Sequence, residues 1–152
     1  MSADDRLAAS IWEAERHAAA LEDALADWAP ASALSLQQIE QDRMLVRLVD
    51  QMLFRFTKLQ DTLGERLIPA TLAHLAEPFE HWPMRDRLSR LEKLGYLDVD
   101  DWLRWREVRN RLAHEYPDAP EIRLASLKAG IQAAREVLAA YVRWRLRLAS
   151  AS

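Results

Sequence analysis

Apolar residues recur at helical intervals almost from the start of the chain. Between Asp4 and Trp28 they fall at Leu7, Ile11, Ala14, Ala18, Leu21, Leu25 and Trp28. The steps alternate between four and three, the seam of a heptad repeat. This predicts a helix over about 4–28, ended by Pro30, with central alanines small enough to let another helix approach closely. A polar stretch follows in which Ser35 and Gln38 have the spacing of a capping box. Leu45, Val49, Met52, Phe56, Leu59 and Leu63 then mark the inner face of a helix expected to run to Leu63, with Gly64 as its stop. Residues 65–81 read as a short helix broken by Pro78. Pro83 suits the first turn of the next helix, whose Met84, Leu88, Leu91 and Leu94 face inward before Gly95 closes it.

Asp98 or Asp100 is placed to cap a further helix. Trp102, Trp105, Val108 and Leu112 supply its apolar surface, and it is expected to continue until Pro117 stops it. A last helix from Glu121 to about Leu148 is anchored by Leu127, Ile131, Ala134, Leu138 and Tyr141. No period-two alternation is sustained and no internal repeat is evident. The expected fold is therefore all-α: one domain over 1–152, a bundle of about five helices, with the heptad helix at 4–28 and the rest of the core over about 35–148.

Composition narrows the chemistry. At 152 residues, with 50% apolar and 30% charged side chains, the chain has ordinary globular proportions. The absence of cysteine removes disulfides, thiolate nucleophiles and cysteine-based zinc sites, and fits a reducing cytoplasm. The acidic start Met1-Ser2-Ala3-Asp4-Asp5 has no signal-peptide pattern. No apolar run approaches the ~20 residues that span a bilayer, so a soluble, cytoplasmic protein with no membrane partner is expected. Net charge is −3, which argues against a general nucleic-acid coat. Local basic clusters stand against that background: Arg104, Arg106, Arg109 and Arg111, and later Arg143, Arg145 and Arg147.

The densest chemistry lies in Arg109-Asn110-Arg111-Leu112-Ala113-His114-Glu115-Tyr116. Histidine is the side chain that ordinarily titrates closest to neutrality, which suits general acid–base work. Arginine can neutralise charge developing on phosphate oxygens. His114 and Arg109 together have the functional groups for attack of a ribose 2′-OH on the adjacent phosphate, a reaction confined to RNA. On one straight helix, at ~100° per residue, Arg109 and His114 do not aim at one point. A two-fold dimer that combines motifs from both protomers is therefore expected. His114 is expected in the last helical turn, favoured there by the helix dipole. Tyr116, ahead of Pro117, is expected to be displayed at the helix end, open to modification.

Blander readings compete. Helix-terminal histidines often serve only as caps, and arginines often coat solvated faces. His74 and His81 with Glu77 and Glu80 read as scattered surface groups, since Pro78 interrupts any helix that would align them as metal ligands. His17 stands alone in a solvated segment. Asp50 and Asp61 read as a solvated helix face. Trp102 and Trp105 read mainly as core, with base stacking the lesser alternative. Arg143, Arg145 and Arg147 read as a partner contact or as solvation. No cofactor and no metal is expected.

The spacing Arg-x4-His-x-Tyr, with Asn110 after the arginine, resembles the motif of HEPN-domain proteins, specifically the HepT-like toxins of HEPN/MNT toxin–antitoxin pairs. The resemblance extends through Phe54-Arg55-Phe56-Thr57-Lys58-Leu59-Gln60-Asp61 and Met84-Arg85-Asp86-Arg87-Leu88 to Leu94-Gly95, and so covers about 35–145. It implies a metal-independent endoribonuclease that works as a homodimer. Arg109 and His114 would be its catalytic pair and Asn110 a supporting residue. Arg106 and Arg111 would contact RNA. Tyr116 would match the tyrosine that the MNT nucleotidyltransferase antitoxin modifies with AMP. The alternative within the same resemblance is a non-catalytic HEPN subunit that binds a nucleotidyltransferase.

Overall fold

The computed structural model describes residues 1–151. Its order is α1 (Ala3–Trp28), α2 (Leu36–Gln41), α3 (Arg43–Thr62), α4 (Ile68–His74), α5 (Met84–Lys93), α6 (Val99–Arg111) and α7 (Pro120–Ser150). The described residues contain no strand. Helix α1 begins at a capping box: the Ser2 hydroxyl accepts from the Asp5 amide, and the Asp5 carboxylate accepts from the Ser2 amide. Its heptad seam is the buried face, with Ala14, Ala18, Leu21, Ala24 and Trp28 all inside. A single 3-10 turn, Ala29–Ala31, carries Pro30 and turns the chain away.

The stretch expected as one helix from Ser35 to Leu63 is two. Ser35 and Gln38 do form a reciprocal cap, but on the short α2. Asp42, in an extended conformation, then ends α2 and starts α3 by accepting from the amides of Met44 and Leu45. A short acidic side chain able to satisfy two free N–H groups makes this break inexpensive.

Gly64, expected as a stop, is passed over. The helix widens into a π turn at Leu63–Leu67, where the Ile68 amide donates to the Leu63 carbonyl five residues back, and it continues as α4. Two local features account for the widening. Pro69 has no N–H for the usual ladder, and an inserted turn absorbs such a defect. A Cβ on Gly64 would lie 3.2 Å from the Trp102 ring, so this glycine is a site of close approach between α6 and the helix backbone. The helix ends at His74, four residues before Pro78; Ala76 takes a left-handed φ of 58° at the reversal. Helix α5 is as expected, with Pro83 preceding it and Gly95 after it at φ 85°.

Helices α3, α4, α1 and α7 surround the core. Met52, Phe56, Leu59, Leu67, Ile68 and Leu72 from the long central helix pack with Leu21 of α1 and with Ala134, Val137, Tyr141 and Trp144 of α7. Some buried polar groups are tied to a neighbouring helix. The Trp144 indole donates to Thr71 Oγ1 at 3.1 Å. Glu136 on α7 accepts from Arg104, from the Trp105 indole and from Gln132, which couples α6 to α7. Burial pushes the Glu136 carboxyl up, but these three donors outweigh it and hold it down at about 2. No helix among the described residues is long and apolar enough to cross a membrane.

Because Glu136 is shifted below its ordinary value, its contribution is complete above the ordinary carboxyl range and is lost as pH falls from 4.5 toward about 2. Replacing Glu136 with Gln is expected to lower the melting temperature at neutral pH by about 2–4 °C. It should also flatten the acid limb of the stability profile, measured by circular dichroism. An acid limb as steep as in the parent protein would remove Glu136 from this role.

Candidate functional site at the α6–α7 junction

Helix α6 starts where Asp98 Oδ1 accepts from the Asp101 amide, so Asp98 and not Asp100 is the cap. It ends earlier than Pro117 implies. The last helical residue is Arg111, Leu112 caps the end, and His114 and Tyr116 lie in the reversal that joins α6 to α7. The reversal has physical causes on both sides. Pro117 disfavours helical geometry at the residue before it. Leu112 turns inward and packs against α7 beside Gly130, where an added Cβ would stand 3.4 Å from a Leu112 methyl and 2.8 Å from Leu53 Cδ2. His114 therefore gains nothing from a helical turn of its own. Only its amide remains tied, to the Arg111 carbonyl at 3.0 Å. The angle between Arg109 and His114 on an ideal helix no longer applies, because only Arg109 is on the helix.

Arg109 projects from α6 toward α3. Its Nε and Nη2 donate to the two carboxylate oxygens of Asp61, each at 3.1 Å. These hydrogen bonds raise the guanidinium above its ordinary pKa against the opposing pull of partial burial. Asp61, expected as part of a solvated face, is thus the direct partner of the motif arginine. Its sequence signal was its place at the end of the Phe54–Asp61 segment, but nothing in the spacing could pair residues 48 positions apart.

His114 and Tyr116 face another way. They line a cleft of about 690 Å³ between α2, α3 and the start of α7, with Leu36, Val46, Leu53 and Leu127 among its apolar walls. Arg109 is not among the lining residues. His114 is exposed and its ring hydrogen-bonds no described residue. Tyr116 is half-buried, more enclosed than a phenol displayed at a helix end. It also borders a smaller groove of about 360 Å³ with Val108, Arg111 and Ile122. The charged groups of the main cleft are mostly acidic: Glu40, Asp50 and Glu115 stand against Arg123.

The remaining candidates divide. Arg106 and Asn110 are exposed, and Arg111 pairs with Glu107 one turn back at 2.7 Å. Arg104 is held by Asp101 and Glu136. Trp102 and Trp105 are buried and offer no face to a base. His17 is half-buried and accepts from Arg55 at 3.0 Å; burial first, then the Arg55 charge, push its pKa down. His74 pairs with Asp4, and no group of three His, Asp or Glu side chains among the described residues is arranged to hold a metal ion. In the C-terminal arginine run, Arg145 pairs with Glu15, and Arg147 donates to the Leu94 carbonyl and lies over the Tyr96 ring. Those two side chains fasten the bundle's own elements, which leaves Arg143 as the one of these three exposed arginines without a partner among the described residues.

No protein-family model, curated protein or solved structure matches the chain.

Substituting Asp61 with Ala removes both hydrogen bonds on Arg109, in a pair whose two side chains are 34% and 32% exposed. The expected cost in stability is small, no more than about 1 kcal/mol after solvent screening. The Arg109 Nε–H should lose its slow exchange and distinct resonance in a nitrogen–proton spectrum. A sharp, protected Nε–H in the variant would show that something other than Asp61 orients the guanidinium.

Proposed function

We propose that this chain is a HepT-like HEPN endoribonuclease, the toxin of a toxin–antitoxin pair, acting as a homodimer in the cytoplasm. The observation that carries the reading is that the His114 ring is kept out of ordinary structural work. His114 neither caps a helix nor bonds a neighbour, and it lines a cleft large enough for a nucleotide unit together with Tyr116. Arg109 is presented in a fixed orientation by a carboxylate fork. A core histidine or a simple helix cap would have neither property.

In this reaction His114 takes the proton of a ribose 2′-OH while O2′ bonds to the adjacent phosphorus. The P–O5′ bond breaks and the leaving O5′ takes a proton from solvent water, giving a cyclic phosphate on one fragment and a 5′-hydroxyl on the other. Arg109 neutralises the charge on the non-bridging oxygens. Within one protomer Arg109 is bound to Asp61 and lies outside the cleft that holds His114, which favours a site completed by the second copy's motif. Asn110, Arg106 and Arg111 stand close enough in sequence to Arg109 to extend such a composite surface toward the RNA backbone. Tyr116 is the residue that a nucleotidyltransferase antitoxin would modify with AMP, adding bulk and negative charge beside His114.

The second reading, a non-catalytic HEPN subunit that binds a nucleotidyltransferase, draws on one specific observation. Three carboxylates line the cleft and a fourth occupies Arg109, an arrangement that repels phosphate unless other cations are supplied.

His114→Ala and Arg109→Ala, made separately, are each expected to reduce RNA cleavage by at least about 100-fold, with unchanged circular dichroism, and to relieve growth arrest. Cleavage that survives both changes in folded protein excludes the ribonuclease reading. Co-expression with a neighbouring nucleotidyltransferase should add the mass of AMP to Tyr116. Complete neutralisation with an unmodified tyrosine would instead favour inhibition by binding.

A further inference from the structure

The loop that carries His114 and Tyr116 has few internal ties. After Leu112, its backbone bonds are Ala113 to Asn110, His114 to Arg111 and Ala119 to Tyr116. Helix α7 begins at Pro120, and Ala119 before it supplies no side-chain cap. Among the described residues one side chain hydrogen-bonds this loop from outside it, and that is Arg123. Its Nη1 donates to the Tyr116 carbonyl at 2.9 Å and to the Pro117 carbonyl at 3.0 Å. Its Nη2 donates to Glu40 on α2 at 3.0 Å. One guanidinium thus joins three separate pieces of chain: the first turn of α7, the motif loop and α2, across the cleft that His114 lines. The planar fork suits this task, since it can address two carbonyls and a carboxylate in fixed directions at once.

We propose that Arg123 is a positioning residue, a latch that holds the 112–119 loop against α2 so that His114 and Tyr116 keep their places on the cleft wall. Its link to catalysis rests on the ribonuclease reading; the latch itself does not. It holds by charge-assisted hydrogen bonds and not by apolar packing. Loss of Arg123 therefore frees the segment that follows Leu112, which itself stays packed against the core, while leaving the buried faces of α1, α3 and α7 in contact. Glu40 sets the guanidinium's direction from the opposite wall, so its charge matters even though it never touches the loop.

The test is amide hydrogen exchange by NMR on the full chain, comparing the parent with Arg123→Met, Arg123→Lys and Glu40→Gln. The reporters are the amides of Ala119 and Ile122, whose acceptors are the Tyr116 and Ala119 carbonyls, with α1 core amides as the control. Arg123→Met should speed exchange at the reporters by about ten-fold or more, with the α1 amides unchanged. Glu40→Gln should produce a smaller acceleration, and Arg123→Lys should restore protection only in part. Unchanged reporter exchange in Arg123→Met overturns the latch. So does a uniform acceleration that includes α1, unless Glu40→Gln still loosens the reporters alone. RNA cleavage is measured in parallel. A fall in kcat with KM nearly constant supports positioning of His114, whereas full kcat with a loosened loop overturns that part. If the parent cleaves no RNA, the ribonuclease reading fails and the exchange data still decide the latch.

Discussion

The packing of the central helix against α1 and α7 governs where every functional group ends up. Met52, Phe56 and Leu59 of α3 are completely enclosed, and the alanine seam of α1 permits that close approach. Burying side chains of this size contributes about 1.5–3 kcal/mol each, far more than the exposed ion pairs around the motif supply. Once that inner face is set, the outer faces of α3 have no freedom. Leu53 and Asp50 must border the cleft, Arg55 must lie against α1, and Asp61 must face α6. The motif is thus arranged by a helix that contains none of its residues.

The π turn at Leu63–Leu67 has a related consequence. It lets one helix continue from Arg43 to His74 despite Pro69, and it brings Gly64 under the Trp102 ring. Trp102 and Trp105 anchor α6 while Glu136 ties that anchor to α7. The carboxylate can serve there because three donors more than offset its burial. Arg109 then extends from a rigid helix, whereas His114 extends from a loop held by hydrogen bonds. The two groups assigned to one reaction consequently differ in how firmly they are fixed.

Charge around the cleft gives the functional argument its tension. Arg109 is neutralised in place, and the cleft that His114 lines also holds Glu40, Asp50 and Glu115. A polyanion meets this surface favourably only where further cations join it. A second copy would supply another Arg106, an exposed cation without an ion-pair partner among the described residues, which is why the dimer and the ribonuclease readings depend on each other.

The all-helical character and most helix faces were legible in the sequence, because burial of one face imposes a 3.6-residue period that survives in the order of residues. Leu7 to Trp28, Leu88 and Leu91, and Leu127 to Tyr141 face inward as their spacing requires. The chemical types at Arg109, His114 and Tyr116 were legible too. Local cues misled where two signals competed: Asp42 could cap as well as continue, Gly64 could stop a helix or admit a tryptophan, and Pro117 stops a helix that had already ended. What only tertiary structure decided was pairing over long separations. Asp61 with Arg109, Arg55 with His17, and Arg123 with both Glu40 and the loop carbonyls depend on helices distant in sequence becoming neighbours. A one-dimensional period records which side of a helix is buried, but not which other helix covers it, and the direction of each motif side chain follows from that second choice.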